Sequence, residues 1–214
     1  MKTDDLLNLM VASQRPVDGA TISRATTLGA GLAIALTLAL VVATLGARAD
    51  LAAPAAMWVT LGKAALGGAV AAGALAAFTR SLRPGARASR TGAVIVAAAA
   101  LVVAASALVT LAQAPSTSWP GLIFGRNWLA CLVAVPLYAL APFALMARVA
   151  RKGAPVDLRK SGFLAGLASG GLAVVGYSVH CPEDAAPFIA TWYPLALAAT
   201  AAFGALALPR LARW

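Results

Sequence analysis

The sequence predicts an all-α membrane protein of six transmembrane helices with both termini cytoplasmic (N-in/C-in), preceded by a short cytoplasmic N-terminal amphipathic helix. Three observations carry this expectation. The 214 residues are 61% hydrophobic and 11% charged, where a soluble domain carries about a quarter charged residues. Apolar runs recur along the whole chain, each long enough to cross about 30 Å of hydrocarbon as a helix. The basic residues stand in short clusters between those runs, as topology signals do. The net charge of +10 is therefore not read as a nucleic-acid surface, and no direct nucleic-acid partner is expected. Membrane lipid is.

Residues 1–24 precede the first run. Thr3 is placed to cap a helix whose first turn holds Asp4 and Asp5. Leu6, Leu7, Met10 and Val11 then form an apolar stripe at helical spacing, which Pro16 stops. A helix of about a dozen residues is marginal alone in water, so it must lie on lipid or on a protein. Helices that lie on lipid usually carry a Lys/Arg-rich polar face. This one leads with two aspartates, which favours a protein partner.

The transmembrane domain then occupies 25–214, with spans at about 25–46, 57–79, 91–113, 128–147, 161–179 and 188–208. Ala47-Arg48-Ala49 imitates a signal-peptidase site, but the run before it is too long for a signal-peptide core. Lys63, near the start of the second span, is expected to snorkel to the nearby interface. The polar connection 114–127 carries Trp119, and Trp128 follows it, both suited to an interfacial aromatic belt. Pro136 and Pro142 predict a kink in the fourth span. Gly162, Gly166 and Gly170 give the fifth a strip on which another helix can pack closely.

Orientation follows from the positive charges. Lys2, Arg15, Arg24, Arg80, Arg83, Arg87, Arg90, Arg148, Arg151, Lys152, Arg159, Lys160, Arg210 and Arg213 fall on one side of the six-span arrangement. Only Arg48, Lys63 and Arg126 fall on the other. All the connections are short, so the side rich in Lys and Arg is cytoplasmic.

The chain's only histidine and only glutamate lie in His180-Cys181-Pro182-Glu183-Asp184, in the last outer connection. The second cysteine, Cys131, lies three residues into the fourth span from its outer end, about 4.5 Å below Trp128 at helical rise. Both thiols thus lie at similar depth on the oxidising side. Three readings stay open on these residues alone: two unrelated small apolar side chains, a redox pair, or a metal site of Cys131, His180 and Cys181 with the neighbouring acids. The spacing matches no zinc signature, and two cysteines are too few for a four-cysteine site. The chain lacks a nucleophile elbow, a paired-histidine metal motif and a phosphate-binding glycine loop, so no catalytic residue and no enzyme activity is expected. The spans lack the mid-membrane ionisable groups of proton-coupled carriers.

Several stretches resemble the NrsF family of bacterial membrane anti-sigma factors. They are Met1-Lys2-Thr3-Asp4-Asp5-Leu6, Arg48-Ala49-Asp50-Leu51, Trp58 with Lys63, and Arg83-Pro84-Gly85. The most distinctive is His180-Cys181-Pro182-Glu183-Asp184-Ala185-Ala186-Pro187-Phe188, followed by Trp192-Tyr193. The resemblance implies a six-span protein of the bacterial inner membrane that sequesters an extracytoplasmic-function (ECF) sigma factor. It implies release on heavy-metal or oxidative stress, with Cys131 and Cys181 as the sensing pair. The N-terminal segment, with Asp4, Asp5, Leu6, Leu7 and Met10, becomes the sigma-docking element. No resident cofactor is implied, beyond a transient metal at the cysteine pair. The competing expectation is a small membrane carrier or thiol-redox protein with an outer-face metal or thiol site.

Overall fold

A computed structural model of the chain describes residues 5, 8, 19–83, 90–153 and 155–212. All regular structure among them is helical: α1 (Gly19–Thr44), α2 (Pro54–Ser81), α3 (Thr91–Gln113), a 3-10 turn (Ser116–Ser118), α4 (Trp119–Phe124), α5 (Trp128–Ala150), α6 (Leu158–Tyr177) and α7 (Ala186–Leu211). Local chemistry sets several boundaries. Proline stands in the first turn of α2, α4 and α7, where its missing N–H has no helical partner to lose. Asp157 caps α6 by accepting from the Lys160 backbone N–H at 2.9 Å.

Five helical stretches are long and apolar enough to cross a membrane: α1 from Ala20, α2, α3, Ser116–Ala150 and α7. Large apolar side chains such as Leu28, Trp58, Leu101, Val102 and Leu137 are exposed along them. Helix α6 falls short of the others because glycine, serine and its leading Arg159 and Lys160 dilute its apolar content. Its position in the bundle explains why that is tolerated. It packs against α1, α2, α5 and α7, and nearly all of its length from Ala165 onward is buried.

The small-residue strip is what lets those neighbours approach. Gly162 lies against the backbone of Gly204, Gly166 against Thr200 and Ala201, and Gly170 against the Thr200 side chain, all on α7. On the opposite face Gly171 meets Gly67 and Ala71 of α2. Gly176 meets Thr37 of α1. Helix α5 runs unbroken through Pro136 and Pro142.

The polar 114–127 connection holds the 3-10 turn and α4. Trp119 Nε1 donates to the carbonyls of Leu111 (3.0 Å) and Ala114 (3.3 Å), which folds the segment back on the end of α3. Gly125, at φ 55°, stops α4 in a conformation that residues with a Cβ rarely adopt. Of the expected sigma-docking residues, Asp4, Leu6, Leu7 and Met10 lie outside the described residues. Asp5 is helical and exposed.

A side chain at Gly166 would meet the backbone of α7, whereas one at Gly31 of α1 would meet nothing within 4 Å. Gly166→Val is expected to destabilise the bundle by about 1–3 kcal/mol through overpacking, and Gly31→Val to be near neutral. Thermal unfolding in detergent, followed by size-exclusion fluorescence, checks the contrast; equal melting temperatures would contradict this packing.

Candidate functional site: a thiol pair under an ion-pair clamp

At one end of the bundle α1 ends, α2 begins, and the residues following α6 turn back over the interior. The Tyr177 carbonyl accepts from the backbone N–H groups of both His180 (3.0 Å) and Cys181 (3.1 Å), which bends the chain off the helix axis. This turn carries Cys181 inward rather than into solvent. Its Sγ lies 3.5 Å from Cys131 Sγ on α5, and both are free thiols with no exposed surface. Cys131 Sγ also donates to Tyr177 Oη at 3.5 Å. Val135, Phe188 and Tyr193 belong to the same buried cluster.

Two cations hold the turn in place. Lys63 Nζ donates to the Cys181 carbonyl at 2.9 Å and to Asp184 Oδ1 at 2.7 Å. The Arg48 guanidinium makes a two-pronged pair with Asp184 (2.8 Å on each oxygen) and another with Asp50 (2.7 and 2.9 Å). Its Nη1 also reaches the Cys181 carbonyl at 3.3 Å. Lys63 is only 2% exposed. The expectation that it snorkels to an interface is therefore corrected: its ammonium is satisfied inside the protein. A charge withdrawn from water costs several kcal/mol unless paired and hydrogen-bonded, and Asp184 with the Cys181 carbonyl meets that requirement.

These pairings shift the local acids and bases. Burial pushes the Asp184 carboxyl up, but the hydrogen bonds from Arg48 and Lys63 outweigh it and hold the group below the usual carboxylate range. The Asp50 carboxyl is lowered by Arg48. Arg48 itself is raised, first by Asp184 and then by Asp50. The hydrogen bond with Cys131 lowers the Cys181 thiol, and the Lys63 charge assists against the opposing effect of burial.

Glu183 ties in a further connection. Its Oε1 accepts from the backbone N–H groups of Arg126 (2.8 Å) and Asn127 (3.2 Å) and from Asn127 Nδ2 (3.3 Å). Trp192 Nε1 donates to the Ile123 carbonyl at 2.8 Å. The Trp192 ring lies 4.8 Å from that of Trp128 and 5.8 Å from that of Phe124. Trp128, expected in an interfacial belt, thus joins Phe124 and Trp192 in locking α4 to α5 and α7.

Of the residues singled out from sequence, the structure brings Cys131 and Cys181 together. It does not bring His180 to them as a third ligand: His180 Nδ1 donates to the Gly46 carbonyl at 3.0 Å, and its ring faces Tyr177. Among the described residues no group of three His, Cys, Asp or Glu side chains is arranged to hold a metal ion. Sequence reasoning missed the roles of Lys63, Arg48, Asp184 and Tyr177. A usable signal was present, because the three basic residues at this end, Arg48, Lys63 and Arg126, are matched by three acids, Asp50, Glu183 and Asp184.

Fold and site together define a helical protein of membrane-spanning character built around a buried thiol pair. The chain belongs to the NrsF family, described as negative regulator of sigma F, whose family profile matches residues 10–214. It is 34% identical, over the full length of both chains, to a probable anti-sigma-F factor NrsF of Azospira oryzae. It is 31% identical, again over both full lengths, to the anti-sigma-F factor NrsF of Caulobacter vibrioides. No solved structure matches the chain.

The Asp184 clamp has a defined pH dependence. A carboxyl depressed on folding stabilises the protein fully above its unfolded value of about 4 and loses that contribution as pH falls through the folded value. Asp184→Asn is therefore expected to lower the melting temperature between pH 5 and 7, with the gap to wild type closing below about pH 4. Melting curves across that range check it; a gap that does not change with pH would contradict the clamp. Removing the carboxylate with Asp184→Ala leaves buried Lys63 without its anion and Arg48 with Asp50 alone, and is expected to cost about 3–5 kcal/mol, measured the same way.

Proposed function

We propose that this protein is a bacterial inner-membrane anti-sigma factor that sequesters an ECF-type sigma factor and releases it when the outer thiol pair is modified. The observation that carries the reading is the 3.5 Å separation of Cys131 Sγ and Cys181 Sγ. Closing it to a covalent bond of about 2.05 Å needs only about 1.5 Å of movement. Oxidants form that bond, and soft heavy-metal ions bind such paired thiolates. Family membership and the likeness to two anti-sigma-F factors support the regulatory role. The reading assigns no catalytic residue and no resident cofactor.

The topology that goes with it has six spans, the central α6 being the fifth in chain order, and both termini in the cytoplasm. The Lys and Arg distribution supports that orientation, and it puts the thiol pair on the oxidising side. The N-terminal segment is the docking element, with Leu6, Leu7 and Met10 as apolar contacts and Asp4 and Asp5 as the acidic lead. Packing supports a route between the two ends. Cys181 follows α6, α6 packs on α1 through Gly176 and Thr37, and α1, which begins at Gly19, includes the end of the 1–24 segment. A coupling of about 1–3 kcal/mol between thiol state and docking suffices for a useful switch.

Two cell-based measurements test this reading. Leu6→Asp combined with Leu7→Asp is expected to give constitutive expression of a sigma-dependent reporter; repression that survives the double change refutes the docking assignment. Cys131→Ser and Cys181→Ser are each expected to change reporter induction by thiol-reactive stress, and unchanged induction in both would reduce the cysteines to packing residues.

A further inference from the structure

The two thiols are not equivalent, and the difference lies in the charges around them. Cys131 sits inside α5, and its Sγ donates to Tyr177 Oη. Cys181 sits in the non-helical turn, with its carbonyl accepting from both Lys63 and Arg48. Within the clamp these two cations face one shared carboxylate, Asp184, since Asp50 is 57% exposed at its side chain and pairs only with Arg48. Arg48 alone spans both oxygens of Asp184. The two cations and the two carboxylates match in number, but the Lys63 ammonium, buried and donating to the Cys181 carbonyl at 2.9 Å, is a positive charge seated next to Cys181, whereas the balancing Asp50 is largely exposed. A cation buried at this depth is costly, and an apolar side chain could have filled the space.

We propose, building on the thiol-sensing reading above, that Lys63 is a positioning residue that makes Cys181 the first thiol to react and leaves Cys131 as its resolving partner. The groups facing Cys181 agree with this assignment. Lys63 approaches from α2 and Arg48 from the α1–α2 connection. Asp184, in the same turn, is held by both cations. Cys131 comes from α5, Tyr177 from α6 and Tyr193 from α7. His180, next in sequence, turns away to Gly46. A cavity of about 530 Å³ is lined by Ala130, His180 and Pro182, the chain neighbours of the two cysteines, and by Arg48, Asn127 and Tyr177.

With a hydroperoxide as oxidant the chemistry balances in two steps. The Cys181 thiolate attacks the terminal peroxide oxygen, an S–O bond forms, the O–O bond breaks, and the departing alkoxide takes a proton and leaves as alcohol. Sulfur has lost two electrons and is a sulfenic acid. Cys131 sulfur then attacks the Cys181 sulfur, the S–S bond forms, the S–O bond breaks, and the departing hydroxide takes the Cys131 proton and leaves as water.

The test is limited iodoacetamide labelling of the full-length protein in detergent micelles, quenched at intervals and mapped by mass spectrometry between pH 5 and 9. Wild type is expected to label at Cys181 about tenfold faster than at Cys131 at pH 7. Lys63→Met should slow Cys181 labelling about tenfold at pH 7 and move the midpoint of its pH profile upward, with Lys63→Arg restoring most of the rate. Asp184→Asn, which keeps Lys63 and removes the neutralising carboxylate, should speed it. Cys131 labelling first in wild type would overturn the proposal even where Lys63→Met does not fold. An unchanged Cys181 rate in folded Lys63→Met would overturn it as well. Labelling order is read without a sigma factor, so it can fail while the cysteine variants still alter induction, and it can hold while they do not.

Discussion

The structure depends on the need to satisfy a lysine and an arginine at one end of an apolar bundle. Neither Lys63 nor Arg48 can be left unpaired there, because an uncompensated buried charge costs several kcal/mol. Asp184 supplies the shared anion, Asp50 pairs further with Arg48, and the Cys181 carbonyl accepts from both cations. That requirement places the 178–185 turn where it is. Glu183, one residue earlier, extends the same turn to the α4–α5 connection. A short run of sequence thus gathers α2, the α1–α2 connection and the start of α5 around two thiols.

The rest of the bundle makes such a turn able to report its state. Helix α6 ends at the turn and packs through glycines on α1, α2 and α7. Interfaces with backbone against backbone have little slack, so a displacement at one end favours a discrete repacking over a gradual deformation. In the proposed topology α6 is the element that senses outside, and α1 is the element that carries the result inward. Helix α3, by contrast, buries only Gly92 and Ala107 among its described residues and presents most of its apolar surface outward from the bundle.

What the sequence made legible follows the physics of each feature. Apolar run length and the charge clusters were enough to predict a helical membrane bundle, because hydrocarbon thickness and backbone hydrogen bonding leave few alternatives. The glycine strip at Gly162, Gly166 and Gly170 announced a close helix contact, though not its partner. The thiol pairing was inferable only as shared depth, since two residues fifty apart give no distance. Lys63 was misread because a lysine near a helix end has two outcomes, reaching for the interface or finding an anion. Which one wins depends on whether a distant loop folds over it. His180 looked like a third metal ligand from its sequence neighbours, but its ring is spent on the Gly46 carbonyl. Local sequence reported chemistry well and direction poorly.

The most direct test of the account is retention of the cognate sigma factor by the full-length protein in lipid nanodiscs, with the thiols reduced and then oxidised. The account predicts that the sigma factor stays bound to the reduced protein and dissociates after oxidation. It also predicts that Cys131→Ser keeps the sigma factor bound under the same oxidant. Equal retention of the sigma factor by reduced and oxidised wild-type protein would contradict it.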